Sequence, residues 1–333
     1  MKRLLVRRSA VGLALGALAV TGLASVPSPA SAVATNAYVE ADGGFYAQAG
    51  TCTEAGDGAN PADVPWSDNG VPVTNQVAKS GTISNNDNAA DITDVAVSSK
   101  ATVTSTPLGT SGPATIQATG TASASVAPRL GSSGCSPYAY ASGYVRGDAT
   151  LPAPMWVTIT GTGTGRGSSY LEIDTVDGYI ELNTADRSAG TVTALLPAGP
   201  ISLYYYVSTN AYLDAQTPTA RSRSVSSTFT AVLEPLGNGS AVAGKGKSYV
   251  SLDARSCPTG TVAVSLTKKA KKKAKLVEIK VNGAKKGKKF QGKKLKKRTV
   301  AIAAPPASDA TIVATITLKN GKKVTVTRSY KAC

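Results

Sequence analysis

The chain has 333 residues, 36 Lys and Arg against 20 Asp and Glu, four cysteines and no histidine. The absence of histidine excludes Ser-His-Asp and Cys-His nucleophilic schemes and the histidine zinc sites of hydrolases. Charge is divided along the chain, with 8 basic and 17 acidic side chains in residues 33–244 against 24 basic and 3 acidic in residues 245–333, and this marks two units with different partners or tasks.

Residues 1–32 read as a secretory signal: Lys2, Arg3, Arg7 and Arg8 precede an apolar run from Ala10 to Val26 and an Ala30-Ser31-Ala32 cleavage motif. The Arg7-Arg8 pair leaves both general secretion and twin-arginine export open. No later run offers the roughly 18 apolar residues of a membrane span, so a released protein, extracellular or held to the cell surface by non-covalent contacts, is expected. In that oxidising setting Cys52, Cys135, Cys257 and Cys333 should form disulfides. Three pairings are open, and Cys52–Cys135 with Cys257–Cys333 is favoured because a domain break falls between the pairs.

The acidic unit, 33–236, is rich in Ser, Thr, Ala, Gly and Val. Runs such as "ITDVAVSSKATVTST" from Ile92, "ATIQATGTASASVA" from Ala114 and "MWVTITGTG" from Met155 alternate with period two between turn residues. The pattern predicts antiparallel strands with one buried face and an all-β fold, most economically a jelly-roll-like β-sandwich. Within it "LLPAGPISLYYYVS" from Leu195 resembles a turn-and-strand phrase that recurs in bacterial extracellular β-sandwich modules, carbohydrate-binding ones among them.

The acidic stretch "YLEIDTVDGYIELNTAD" places Glu172 and Asp174 on the solvent face of a strand, with Asp177-Gly178 as a hairpin turn and Glu181 facing back. Glu172, Asp174 and Glu181 are therefore candidate calcium ligands, although the spacing does not fit an EF-hand loop and an ordinary solvated hairpin has the same pattern. Asp87, Asp91 and Asp94 in "SNNDNAADITD" read as turn residues first and calcium ligands second. Tyrosines cluster in "YAYASGY" and "LYYYV". Trp66, Tyr138, Tyr140 and Tyr205 are the candidate glycan contacts, against a plain packing role for the same rings.

Residues 237–248, "GNGSAVAGKGKS", carry four glycines and read as a linker. From 249 to 333 the alternation sharpens through Val262-Val264-Leu266, Val277-Ile279-Val281, Ile312-Ala314-Ile316 and Val324-Val326. Turn signals stand at Asn282-Gly283 and Asn320-Gly321, the latter of type I′. A small immunoglobulin-like β-sandwich follows, stapled near its ends by cysteines. Its phrases "ARSCPTGTVAVSLTKKAKKK", "VEIKVNG", "GKKLKKRTV" and "TLKNGKKVTVTRSYKAC" resemble a Lys-rich C-terminal module of secreted actinobacterial proteins, which implies an accessory module at a cell surface and brings no catalytic residues.

Between Lys268 and Arg298, 16 of 31 residues are basic and Glu278 is the one acid. Because these cations alternate with apolar residues they belong to a folded module. They read as a solvated face that discourages sheet-edge aggregation, as a grip on a polyanion, or as a partner for the acidic unit. The candidate polyanion contacts are Lys271, Lys272, Lys273, Lys285, Lys286, Lys288, Lys289, Lys293, Lys294, Lys296, Lys297 and Arg298. Few aromatics interleave, so sequence-specific nucleic acid is not an expected partner. The expected function is a secreted, non-catalytic binding or adhesion protein, retained on anionic envelope or matrix polymers and carrying a glycan surface on its N-terminal unit. The alternatives are a glycan-active enzyme using two of the three carboxylates and a structural matrix subunit. No cofactor is expected beyond the calcium candidate.

Overall fold

The computed structural model describes residues 34–110, 112–130, 133–184, 188–213, 219–285, 287–296 and 298–333. Residues 1–32, read above as a secretory signal, Lys286 and Lys297 lie outside the described residues. In chain order the strands are β1 (Thr35–Ala47), β2 (Cys52–Ala55), β3 (Val64–Pro65), β4 (Val73–Asn85), β5 (Asn88–Ser105), β6 (Ala114–Pro128), β7 (Pro137–Leu151), β8 (Met155–Gly165), β9 (Ser168–Thr175), β10 (Gly178–Asn183), β11 (Ala189–Leu196), β12 (Gly199–Tyr212) and β13 (Arg221–Pro235). They continue as β14 (Val250–Ser256), β15 (Thr261–Leu266), β16 (Ala274–Val281), β17 (Lys288–Gln291), β18 (Arg298–Ala303), β19 (Ala310–Leu318) and β20 (Lys323–Tyr330), with a short helix α1 (Lys268–Lys273) between β15 and β16.

The fold is all-β and antiparallel throughout. A six-stranded sheet, β10-β9-β12-β7-β1-β3, and a seven-stranded sheet, β11-β8-β13-β6-β5-β4-β2, share one core, which fits a sandwich. The strands form where the sequence alternates. In β6, for example, Ala114, Ile116, Ala118, Ala122, Ala124 and Val126 turn inward and the residues between them turn out. A three-stranded sheet, β14-β15-β18, and a four-stranded sheet, β17-β16-β19-β20, enclose a second core built from Val262, Val264, Leu266, Val277, Ile279, Ile312 and Ile316.

Both disulfides join the expected partners: Cys52 to Cys135, with Cα atoms 6.0 Å apart, and Cys257 to Cys333, at 5.5 Å. Segment 237–248 does not hang free. It runs along β20, with bridges from Gly239 to Tyr330 and from Ala243 to Thr327 and a Gly246 N–H donating to the Thr325 carbonyl at 2.8 Å. Its glycines serve close approach rather than flexibility, since a Cβ on Gly244 would stand 2.3 Å from the Thr325 carbonyl oxygen.

The two marked turns differ in kind. Asn282 and Gly283 both have positive φ, +48° and +67°, as a type I′ turn requires. At 319–321 only Gly321 is positive, at +84°, and Leu318 N–H donates to the Lys322 carbonyl, which gives a three-residue loop in place of the expected I′ turn.

Candidate functional site

The turns and strand registers of the smaller body gather its cations. Leu266 at the end of β15 pairs with Val250 and Arg298, so α1, which follows β15, sits at the end where β14 and β18 begin. Ala274 pairs with Leu318 and Thr317 with Lys323, which brings the β19–β20 loop to the same end. Leu276 pairs with Gln291, so the 3₁₀ turn Gly292–Leu295 leaves β17 there too. All three connections meet at one pole, while Cys257 and Cys333 lie at the other.

Helix α1 offers Lys268, Lys269, Lys271, Lys272 and Lys273 to solvent, while buried Ala270 pins it to the core and the Thr267 side chain accepts from Ala270 N–H as its N-cap. The helix dipole favours Lys271, Lys272 and Lys273 in the last turn and opposes Lys268 and Lys269 at its start. Lys293 and Lys294 lie on the 3₁₀ turn, anchored by buried Leu295, and Lys296 and Arg298 follow. The β19–β20 loop adds Lys319, Lys322 and Lys323, all exposed, and Lys245 and Lys247 flank Gly246 beside β20. Phe290 is buried beneath the Arg298 guanidinium, so it presents no ring for stacking.

The structure therefore unites Lys271, Lys272, Lys273, Lys293, Lys294, Lys296 and Arg298 and sets Lys285 and Lys288 apart, toward the Asn282-Gly283 turn. Lys289 stands 3.9 Å from Glu278 in an exposed pair. The polar residues missed from the sequence, Lys319, Lys322 and Lys323, were signalled by their hairpin: a loop that closes a strand paired with β16 must fall beside α1.

The larger body carries a second surface. Ten of the chain's 13 tyrosines stand on the outer face of the six-stranded sheet, in rows set by register. One row runs Glu181, Glu172, Tyr204, Arg146, Tyr38; the next runs Asn183, Tyr170, Tyr206, Tyr144, Glu40; a third runs Tyr212, Tyr138, Tyr46. Ring centroids lie 5.1 Å apart for Tyr46–Tyr138, 5.5 Å for Tyr170–Tyr206 and 6.2 Å for Tyr144–Tyr204. Arg146 lies over the Tyr204 ring at 5.3 Å. Burial raises the Tyr140 and Tyr170 hydroxyls above their ordinary value, and neighbouring acids raise them further, so they stay neutral. A polar groove of about 640 Å³ lined by Arg166, Ser168, Ser208, Asn210 and Arg223 opens at the edge of this face.

Tyr138 and Tyr140 belong to that face, but two of the expected glycan contacts do not. Tyr205 has no exposure: it shares the inward parity of Leu203 and Val207, packs edge-on to Phe229 and bonds Ser227 Oγ at 2.9 Å. Trp66 is 6 % exposed, its indole donating to the Arg146 carbonyl at 2.8 Å and its ring lying where a Cβ on Gly147 would be 2.4 Å away. Neither can stack on a sugar.

Glu172 and Glu181 are directly paired across the β9–β10 hairpin, whose turn is Val176-Asp177, one residue earlier than expected. Burial, then Asp174, then Glu181 push the Glu172 carboxyl above the ordinary value. The two acids are neighbours on one open face rather than carboxyls opposed across a cleft, the arrangement glycosidases place at roughly 5–9.5 Å. Among the described residues no group of three His, Cys, Asp or Glu side chains is placed to hold a metal ion. The other acids have structural partners. Asp91 accepts from Asn85 and from Gly134 N–H, and Asp94 is held below its ordinary value by a two-pronged bond from Arg129.

No helix among the described residues is long and apolar enough to cross a membrane. The chain matches no family model, no curated protein and no solved structure.

Proposed function

We propose that this is a secreted, non-catalytic binding protein whose C-terminal immunoglobulin-like module grips an anionic envelope or matrix polymer through its lysine pole. The observation that carries the reading is the convergence of three separate connections, each lysine-bearing, on one end of a small sandwich. A surface kept basic only for solubility would have no reason to concentrate its charge this way, because mutual repulsion disfavours it. Of the three acids of this module, Glu278 and Asp253 lie on strands and Asp309 just before β19 at the Cys333 end, so the pole's connections hold no internal counter-charge. Without exposed rings among these lysines, contact to phosphates or other anionic groups is by charge and independent of sequence.

Co-sedimentation of the mature chain with a phosphate-bearing wall polymer tests this across a salt series. Binding should weaken steeply as salt rises, and absence of binding at low salt would end the proposal. A second reading, a glycan surface on the jelly-roll-like N-terminal unit, is favoured by the tyrosine rows beside the polar groove. Aromatic rings offer sugars an apolar face with a polar rim.

A further inference from the structure

We infer that the acidic tyrosine face of the six-stranded sheet is a docking surface for the lysine pole of a second copy of this chain. The face carries Glu40, Asp42, Asp148, Glu172, Asp174 and Glu181; among the described residues of its own strands Arg146 is the one cation, Arg221 and Arg223 of β13 reach over Tyr212 at its edge, and the acids are spread among the rings. Carboxylates beside aromatic faces suit ammonium and guanidinium groups, which are drawn both by charge and by the ring quadrupole. The chain already shows the preference within itself: Arg146 lies over Tyr204, Arg221 over Tyr212 at 5.3 Å and Lys269 over Tyr249 at 4.9 Å. The complementary surface is on the same molecule, in a pole rich in exposed lysines whose connections lack acids.

The two surfaces belong to different bodies. Contacts that tie the bodies together, Trp156 Nε1 donating to the Ala332 carbonyl at 3.1 Å and Lys331 facing Glu234 at 3.9 Å, lie at the Cys333 end of the smaller one. The lysine pole is the other end, turned away from this junction, so the partner face is supplied by another molecule. A contact between two unlike patches is head-to-tail and adds molecule after molecule, into a ring where the rotation closes and an open chain where it does not.

This inference shares the lysine pole with the function proposed above but needs no polymer. Its test is light scattering of the mature chain over a concentration series at about 0.01 M and about 1 M salt, where screening lengths are roughly 30 and 3 Å. Two variants accompany it: a face variant, Glu172→Gln with Asp174→Asn and Glu181→Gln, and a pole variant, Lys272→Gln with Lys293→Gln and Lys294→Gln. The wild type should grow in mass with concentration at low salt and revert to monomer at high salt. Each variant alone should associate at least tenfold more weakly, and their equimolar mixture should form a capped heterodimer, because one retains the pole and the other the face. The face variant should still bind the polymer. A wild type that stays monomeric at low salt, or a face variant that associates as the wild type does, would overturn the inference while leaving the polymer reading intact. Loss of polymer binding with assembly retained would do the reverse.

Discussion

Single residues in this chain are read most surely by parity. In "LYYYV" the middle tyrosine falls in step with Leu203 and Val207, and the structure buries Tyr205 with its hydroxyl satisfied by Ser227. Truncation to alanine should therefore cost on the order of 3–5 kcal/mol, as for other buried aromatics, and leave ligand binding by the folded fraction unchanged. Urea titration read beside a binding isotherm checks both parts; a variant of undiminished stability that no longer binds would return Tyr205 to the surface. That alternation was visible in the sequence. Trp66 was not legible in the same way, because the loop "DVPWSDNG" has no period, and its burial depends on space left by Gly147, 81 positions further along the chain.

At the scale of elements, the β9–β10 hairpin shows how much a local pattern can carry. The alternation of Glu172 and Asp174 with Leu171 and Ile173 fixed their face, and the short turn set Glu181 opposite Glu172. What the pattern did not supply was the company of the β12 tyrosines, since β12 joins β9 from 24 or more residues away. Because the folded state holds the Glu172 carboxyl above the ordinary 4.5, it favours the protonated form. The stabilisation this gives is present below pH 4.5 and is lost as pH rises through the raised value. Glu172→Gln should thus stabilise the chain at pH 7 by on the order of 0.2–1 kcal/mol, the scale of a directly opposed like-charge pair, and by nothing measurable in acid. Melting temperatures of both proteins at the two pH values decide it; an equal gain at both would mean the effect is not electrostatic. The lysine pole marks the limit of reading by segment. Lys273 and Lys319 are far apart in sequence and meet, the Lys319 N–H donating to the Lys273 carbonyl, only because β16 pairs with β19, a sheet order that no local alternation specifies.

For the whole molecule, composition already divided the chain into an acidic and a basic part, and the disulfides respect that division. The Cys257–Cys333 bridge spans 76 residues of the smaller body and constrains its unfolded chain by roughly 4 kcal/mol in the chain-entropy account. Replacing both cysteines with serine should lower the unfolding midpoint of this body by a corresponding amount, and an unchanged midpoint would show that its core suffices alone. In the glycine-rich stretch 237–248 composition suggested a linker, and what its glycines permit is close approach to β20.

The central claim is that the position of the lysines, and not the net charge, makes the grip. The most direct test compares two variants of equal charge for polymer affinity across a salt series: Lys272, Lys293 and Lys294 changed to Gln at the pole, against Lys285, Lys288 and Lys289 changed to Gln at the β16–β17 side. The pole variant should lose at least tenfold in affinity at low salt, and its log–log salt slope should fall by about 2–3, while the other stays close to wild type. Equal losses in the two variants would contradict the account and reduce the pole to its share of the overall charge.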